Sequence, residues 1–200
     1  MIDPLPFDAD LLRRHDRPGP RYTSYPTAPQ FQPGFSESAL RDAARLSNGD
    51  PIPRRLSLYA HIPFCFSPCF YCGCNRVITR DHGRAGTYLE RLTRDVVKFA
   101  ELFDRDREVI QLHLGGGTPN FLDAGQLGEF METCNHHFHF SSSPRRDFSI
   151  EIDPRCVNPD DIAALAFMGF NRASLGVQDF DPEVQQAVNR IQSVGETLAV

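Results

Sequence analysis

Cys65, Cys69, Cys72 and Cys74 fall within ten residues, in the stretch HIPFCFSPCFYCGCN (His61–Asn75), and are four of the six cysteines in the chain. Thiols crowded into one loop can form a disulfide framework, a zinc site or an iron–sulfur site. The chain is acidic, and its cysteines are not spread along it as a disulfide framework requires. Metal is therefore the better reading. The spacing is Cys-x3-Cys-x2-Cys, with Cys74 two residues further on. Three thiolates on a tight loop can hold three irons of a cubane cluster and leave the fourth iron to a non-protein ligand. By spacing alone, a structural zinc held by four thiolates stays open beside it.

The elements that must position this loop follow a rhythm. After an arm rich in proline and glycine (Arg17–Pro33), a short helix is predicted over Ser36–Leu46, with Ser36 as its cap. Four strand-then-helix units come next. Leu56–Ile62 alternates Leu56, Leu58, Ala60 and Ile62 as a strand does, and a helix follows near Thr87–Phe103, with Thr87 and Glu90 as a capping box. Val109–Leu114 leads to a helix near Asp123–Phe138 that opens on Asp123 and Gln126. Phe148–Ile152 leads to Pro159–Phe167, capped by Asn158 and closed by Gly169. Arg172–Val177 leads to Pro182–Arg190, capped by Asp181. Strands alternating with helices of this length imply an α/β fold with a parallel sheet, open or barrel-like, whose functional groups gather at the C-terminal strand ends.

That expectation is met at each unit. The first strand ends in the cysteine loop, and the second runs into Gly115-Gly116-Gly117-Thr118-Pro119. Such a turn allows positive φ and close approach of a ligand to the backbone. The third strand carries Glu151 and Asp153, and the fourth ends at Gly176-Val177-Gln178-Asp179. A structural zinc gives the glycine-rich rim no role, and four cysteines this crowded make a poor tetrahedral set.

The Cys-x3-Cys-x2-Cys loop after a first strand, with an aromatic residue before the third cysteine, resembles the signature of radical S-adenosylmethionine enzymes. Seven stretches are similar to one branch of them, the oxygen-independent coproporphyrinogen III dehydrogenase (oxidase) family. They are GPRYTSYPTA (Gly19–Ala28), LYAHIPFC (Leu58–Cys65) with CGCN (Cys72–Asn75), LHLGGGTP (Leu112–Pro119), SIEIDPR (Ser149–Arg155), LGVQDF (Leu175–Phe180) and VNRIQ (Val188–Gln192). The resemblance implies a partial TIM-type (β/α) barrel over residues 51–200, preceded by an arm and short helix over 1–50. It implies a [4Fe–4S] cluster on Cys65, Cys69 and Cys72, with Cys74 outside the ligand set. The implied reaction is the anaerobic decarboxylation of two propionates of coproporphyrinogen III to vinyl groups, giving protoporphyrinogen IX in haem biosynthesis through a 5′-deoxyadenosyl radical.

Position by position, Tyr59, Gly116 and Glu151 match contacts to the cluster-bound S-adenosylmethionine. Tyr71, Gly117, Thr118, Gln178 and Arg190 match contacts to a second molecule of it. Tyr59 and His61 are the candidates for the catalytic centre, although His61 can equally be a packing residue. Related haem chaperones keep the three-cysteine loop; the GPRYTSYPTA arm and the extra cysteine of CGCN favour the enzyme. The family's chain is longer, so this one reads as an N-terminal part of it, open at one sheet edge, with an inactive fragment as the alternative.

Composition narrows the partners. Net charge is −5, from 21 basic and 26 acidic residues, and no basic run exceeds a pair, so no nucleic-acid footprint is read. No stretch reaches the roughly 18 apolar residues of a membrane span, and MIDPLPFDADLLRR is too acidic and proline-broken for a targeting peptide. A cytoplasmic location, a monomer, and an unidentified electron donor and acceptor complete the reading. Arg21, Arg155 and Arg172 each qualify to meet a substrate carboxylate. His136, His137 and His139 read as a solvated helix end, and Cys134 as a buried small apolar residue.

Overall fold

The structure, a computed structural model, describes residues 8–17 and 27–200. Most of the GPRYTSYPTA arm, Gly19–Pro26 with Arg21, lies outside the described residues. The chain divides into two compact units, Met1–Leu40 and Arg41–Val200. In the first, α1 (Ala9–His15) opens at Asp8, whose carboxylate accepts the Asp10 and Leu11 amides. Helix α2 (Glu37–Asn48), whose residues from Arg41 onward belong to the second unit, begins where the cap signal puts it, with Ser36 Oγ accepting the Ala39 amide at 3.2 Å. It runs two residues past the predicted end at Leu46.

The second unit contains, in chain order, β1 (Leu56–Ile62), β2 (Phe64–Cys65), β3 (Val77–Ile78), α3 (Gly83–Ala100), β4 (Glu108–Gly116), α4 (Ala124–His137), β5 (His139–Phe140), β6 (Asp147–Ile152), α5 (Pro159–Phe167), β7 (Arg172–Leu175), α6 (Pro182–Ala187) and α7 (Val194–Ala199). The main sheet is parallel in the order β1-β4-β6-β7, with β5 added to β4; β2 and β3 pair by themselves. Each main strand lies beside its predecessor in the chain, as in a (β/α) barrel laid open.

Strand alternation gives this sheet two unlike faces. Leu56, Ala60, Ile62, Leu112, Leu114, Phe148, Ile150 and Ile152 are buried and join Leu127, Phe130, Met131, Cys134 and Leu165 of α4 and α5 in one core. The opposite face is polar: Ser57, Tyr59 and His61 on β1, Gln111 and His113 on β4, Asp147, Ser149 and Glu151 on β6, Arg172 and Ser174 on β7. It is cross-linked between strands. Ser57 Oγ donates to Gln111 Oε1 at 2.7 Å, and Arg172 Nη2 lies 2.9 Å from Asp147 Oδ2.

Capping signals guide two helix starts well. The expected Asp123–Gln126 box forms, Asn158 caps α5 as expected and also makes a box with Asp161, and α5 matches its predicted span. Helix α3 differs. It starts four residues before Thr87, because Asp81 Oδ1 accepts the Gly83 amide at 2.9 Å and so sets the first turn; Thr87 lies inside the helix and makes no capping box. Helix α6 stops at Ala187 instead of Arg190, since Asn189 takes a φ of 54° and turns the chain away. Strand β7 ends at Leu175 instead of Val177, where Gln178 also adopts a positive φ, 66°.

Candidate active site

The cysteine loop is built between two short strands. Cys65 lies on β2, which pairs with β3 beyond the loop, so Phe64 faces Val77 and Cys65 faces Ile78 in register. Within it, the Cys72 amide donates to the Cys69 carbonyl at 3.1 Å. Arg76 Nη1 donates to the carbonyls of Cys72, at 2.7 Å, and Cys74, at 3.4 Å. His61 fastens the far end: its Nε2 donates to the Asn75 carbonyl at 2.8 Å, which leaves Nδ1 to accept the Tyr59 hydroxyl at 3.0 Å. His61 therefore acts as a brace between β1 and the loop.

The glycine turn closes against the same loop. The Gly117 amide donates to the Ile62 carbonyl and the Thr118 amide to the Phe64 carbonyl, each at 2.8 Å. Gly116 has a φ of 115°, and a Cβ there would meet the His61 ring at 2.5 Å. Glu151 Oε2 accepts the Gly116 amide at 3.1 Å, and Oε1 lies 3.4 Å from His113 Nε2. His113 Nδ1 meets Ser149 Oγ at 2.8 Å, and its ring stacks on Tyr59 with centroids 5.8 Å apart. Burial first, then the charge of Glu151, raises the Tyr59 phenol above its ordinary range.

One cavity of about 330 Å³ brings together Cys65, Cys69, Cys72, Tyr71, Gly116, Gly117, Thr118, Glu151, Gln178 and Arg190, together with Cys74. Tyr59 and His61 are not among its walls and stand beside it on the polar sheet face. Asp153 is a buried ion-pair centre, 2.7 Å from Arg155 and 2.9 Å from Arg190. Its carboxyl is held below the usual range, burial being outweighed by Arg155 and Arg190. Sequence reasoning passed over His113, Arg76 and Asn120. Asn120 accepts the Asp153 amide and donates to the Asp153 and Cys156 carbonyls, which fixes the end of β6.

The donor set suits a cluster. Cys65, Cys69 and Cys72 all face the cavity. Thr118 Oγ1 donates to Cys65 Sγ at 3.6 Å and Arg190 Nη1 to Cys69 Sγ at 3.8 Å, as donors to cluster sulfurs do. Burial pushes the Cys65 thiol up while Thr118 pulls it down. Arg76 Nε, another wall residue, is buried without a partner. Among the described residues, no three His, Cys, Asp or Glu groups converge on a point that could hold a single ion. Thiolates that each take a separate iron need no such point.

A parallel α/β sheet whose strand ends carry a thiol loop, a glycine turn and a carboxylate around one cavity has the form of a cofactor site at the mouth of a (β/α) barrel. The chain belongs to the Radical SAM superfamily, whose family model matches residues 59–200. Membership implies a [4Fe–4S] cluster and S-adenosylmethionine. The chain is similar to the oxygen-independent coproporphyrinogen III oxidase of Pseudomonas aeruginosa, with 50% identity over 204 aligned residues, 100% of this chain and 43% of that protein. It is 44% identical to the Escherichia coli K12 protein of that name over 192 residues, 96% of this chain and 40% of the other. The solved structure of Escherichia coli coproporphyrinogen III oxidase, a radical SAM enzyme, superposes with a TM-score of 0.81 at 42% identity, over 97% of this chain and 42% of that one. The chain thus spans about two fifths of the length of the relatives it matches.

Proposed function

We propose that this chain forms the cluster-binding part of an enzyme that decarboxylates two propionates of coproporphyrinogen III to vinyl groups without oxygen, giving protoporphyrinogen IX. The observation that carries the reading is the convergence of Cys65, Cys69 and Cys72 with Gly116–Thr118 and Glu151 on one cavity, in a chain 50% identical to such an oxidase. When bound, the cluster supplies one electron for cleavage of S-adenosylmethionine, and through it hydrogen-atom removal from a substrate carbon. Each propionate then loses CO2 and passes one further electron to an acceptor.

The chain's own residues divide this work. Cys65, Cys69 and Cys72 hold the irons. Cys74, exposed and beside Cys72, stays outside the set. Tyr59, Gly116 and Glu151 hold the first S-adenosylmethionine, Glu151 as an acceptor for an ammonium or ribose hydroxyl group. Tyr71, Gly117, Thr118, Gln178 and Arg190 take a second molecule. Of the candidate arginines, Arg155 is committed to Asp153 through three hydrogen bonds. Arg172, paired with Asp147 at 2.9 Å but with its side chain 63% exposed on the polar sheet face, keeps donors toward solvent and is assigned to a substrate carboxylate. The electron donor and acceptor are separate partners. The reading includes no nucleic acid and no membrane, a monomeric enzyme and a cytoplasmic location; no helix among the described residues is long and apolar enough to cross a bilayer.

Anaerobic reconstitution with iron and sulfide tests this, followed by metal analysis and electron paramagnetic resonance with and without S-adenosylmethionine. About four irons per chain and a cluster signal that shifts on addition of the ligand are expected. Zinc retained in place of iron, or a signal indifferent to the ligand, would overturn the reading.

A further inference from the structure

Arg190 brings a buried positive charge to the cysteine loop. The residue is 7% exposed, and each of its guanidinium nitrogens has a partner. Nη1 lies 2.9 Å from Asp153 Oδ2 and donates to Cys69 Sγ at 3.8 Å; Nη2 donates to the Gly176 carbonyl at 2.8 Å and Nε to Gln192 Oε1 at 3.1 Å. A guanidinium does not deprotonate in a protein. The charge at this sulfur is therefore permanent, and its burial limits screening by solvent.

The segment that delivers Arg190 is shaped around the loop. Asn189 sits at a φ of 54°, a strained choice for a residue with a Cβ. Its Nδ2 donates to the Pro68 carbonyl at 2.6 Å, and the Phe70 amide donates to the Val188 carbonyl at 3.0 Å. With the contact to Cys69, three consecutive residues, Val188, Asn189 and Arg190, grip Pro68–Phe70, the Asn189–Pro68 and Arg190–Cys69 pairs each spanning 121 positions of the chain. Gln185 and Gln192, 6% and 4% exposed, brace the turn from behind, Gln185 Nε2 donating to the Gln192 carbonyl at 2.7 Å.

We infer that Arg190 is a positioning residue for Cys69: it holds the thiolate in place and sets how readily the cluster accepts an electron. The inference rests on reading Cys65, Cys69 and Cys72 as cluster ligands. Hydrogen bonds and positive charge at a cysteinyl sulfur favour the reduced cluster, because reduction adds negative charge there. Asp153, bound to the same Nη1 that reaches Cys69, offsets part of that charge. The two residues therefore push the potential in opposite directions, which a merely structural role would not do.

The test compares the reconstituted wild-type chain with Arg190→Met, Arg190→Lys and Asp153→Asn, measuring iron content and the midpoint potential by redox titration followed by electron paramagnetic resonance. The expected result is a lower potential in Arg190→Met, a smaller drop in Arg190→Lys, and a higher potential in Asp153→Asn, with iron content near wild type. Potentials that stay at the wild-type value, or that move the same way in the arginine and aspartate variants, overturn the inference. If Arg190→Met fails to fold or take up iron, Arg190→Lys and Asp153→Asn decide by the same opposition of sign. A wild-type chain that binds no iron overturns the cluster assignment itself, which separates that failure from this one.

Discussion

Glu151 is held by groups from another strand, and its chemistry follows from them. Gly116 donates to one of its oxygens, and His113 stands against the other, itself fixed by Ser149 and stacked on Tyr59. The carboxylate is thereby aimed before any ligand arrives. Hydrogen bonds to charged groups contribute about 1.5–3 kcal/mol. Glu151→Gln, which keeps the shape but loses the charge, is therefore expected to weaken S-adenosylmethionine binding by roughly 10–100-fold with iron content unchanged. Equilibrium binding to the reconstituted chain measures this. Equal affinity in the two proteins would mean that Glu151 only braces the glycine turn. Away from the site, Cys134 titrates with the fold. Burial pushes its thiol from the ordinary 9.0 up to about 12. The unfolded chain then loses this proton first, so the stabilisation is fully present below pH 9.0 and is lost between there and about pH 12. Urea unfolding as pH rises through that window is expected to show stability falling by up to about 1.4 kcal/mol per pH unit on account of this thiol, and a shallower fall in Cys134→Ala.

At the scale of elements, the glycine turn after β4 shows how little room the fold leaves. A Cβ on Gly117 would meet the backbone carbonyls of Phe64 and Pro63 at 2.7 Å, and backbone cannot step aside as a side chain can. Gly86, exposed in the first turn of α3, has nothing within 4 Å. Gly117→Ala is expected to cost about 1–3 kcal/mol and to impair ligand binding. Gly86→Ala is expected to stabilise the chain by roughly 0.5–1 kcal/mol. Denaturant midpoints separate the two, and a tolerated Gly117→Ala would show that the turn is looser than its hydrogen bonds suggest. The same contrast explains what the sequence makes legible. Strands β1, β4 and β6 and helices α4 and α5 announce themselves because period-2 and period-3.6 patterns and capping residues are local signals. Strands β2 and β3, two residues each, carry no period and exist only because the cysteine loop brings them together. The expected end of α6 at Arg190 fails for the same reason: Asn189 leaves helical geometry to reach Pro68, a distant partner that no local pattern reveals. His113 has a readable signal that motif reading alone misses. Two-residue alternation from Gln111 puts it on the polar face beside Glu151.

At the scale of the molecule, the chain has an apolar core and a polar superstructure that hang together by different forces. The core runs through β4 and β6, where Val109, Leu114 and Ile150 are at most 1% exposed; Phe64 belongs to it and Phe66 packs against it, while none of the loop's cysteines is part of it. Beyond Phe66, the loop and the Gln185–Gln192 segment are tied to each other and to the strand ends by hydrogen bonds and ion pairs. Groups held mainly by hydrogen bonds near solvent open locally at lower free energy than a packed core does. A cluster bound to the loop stabilises whatever conformation binds it, so its loss acts first on that half of the structure. Removing iron from the reconstituted chain with a chelator, without oxygen, is therefore expected to speed amide hydrogen exchange in residues 65–76 and 185–192 together. Exchange in β4 and β6 is expected to stay slow. Hydrogen exchange read by mass spectrometry distinguishes this from two alternatives. If only the cysteine loop loosens, the grip of Val188–Arg190 on Pro68–Phe70 is not an energetic coupling. If β4 and β6 loosen as well, the cluster is a folding element of the whole sheet, and the separation of core from site drawn from burial is wrong.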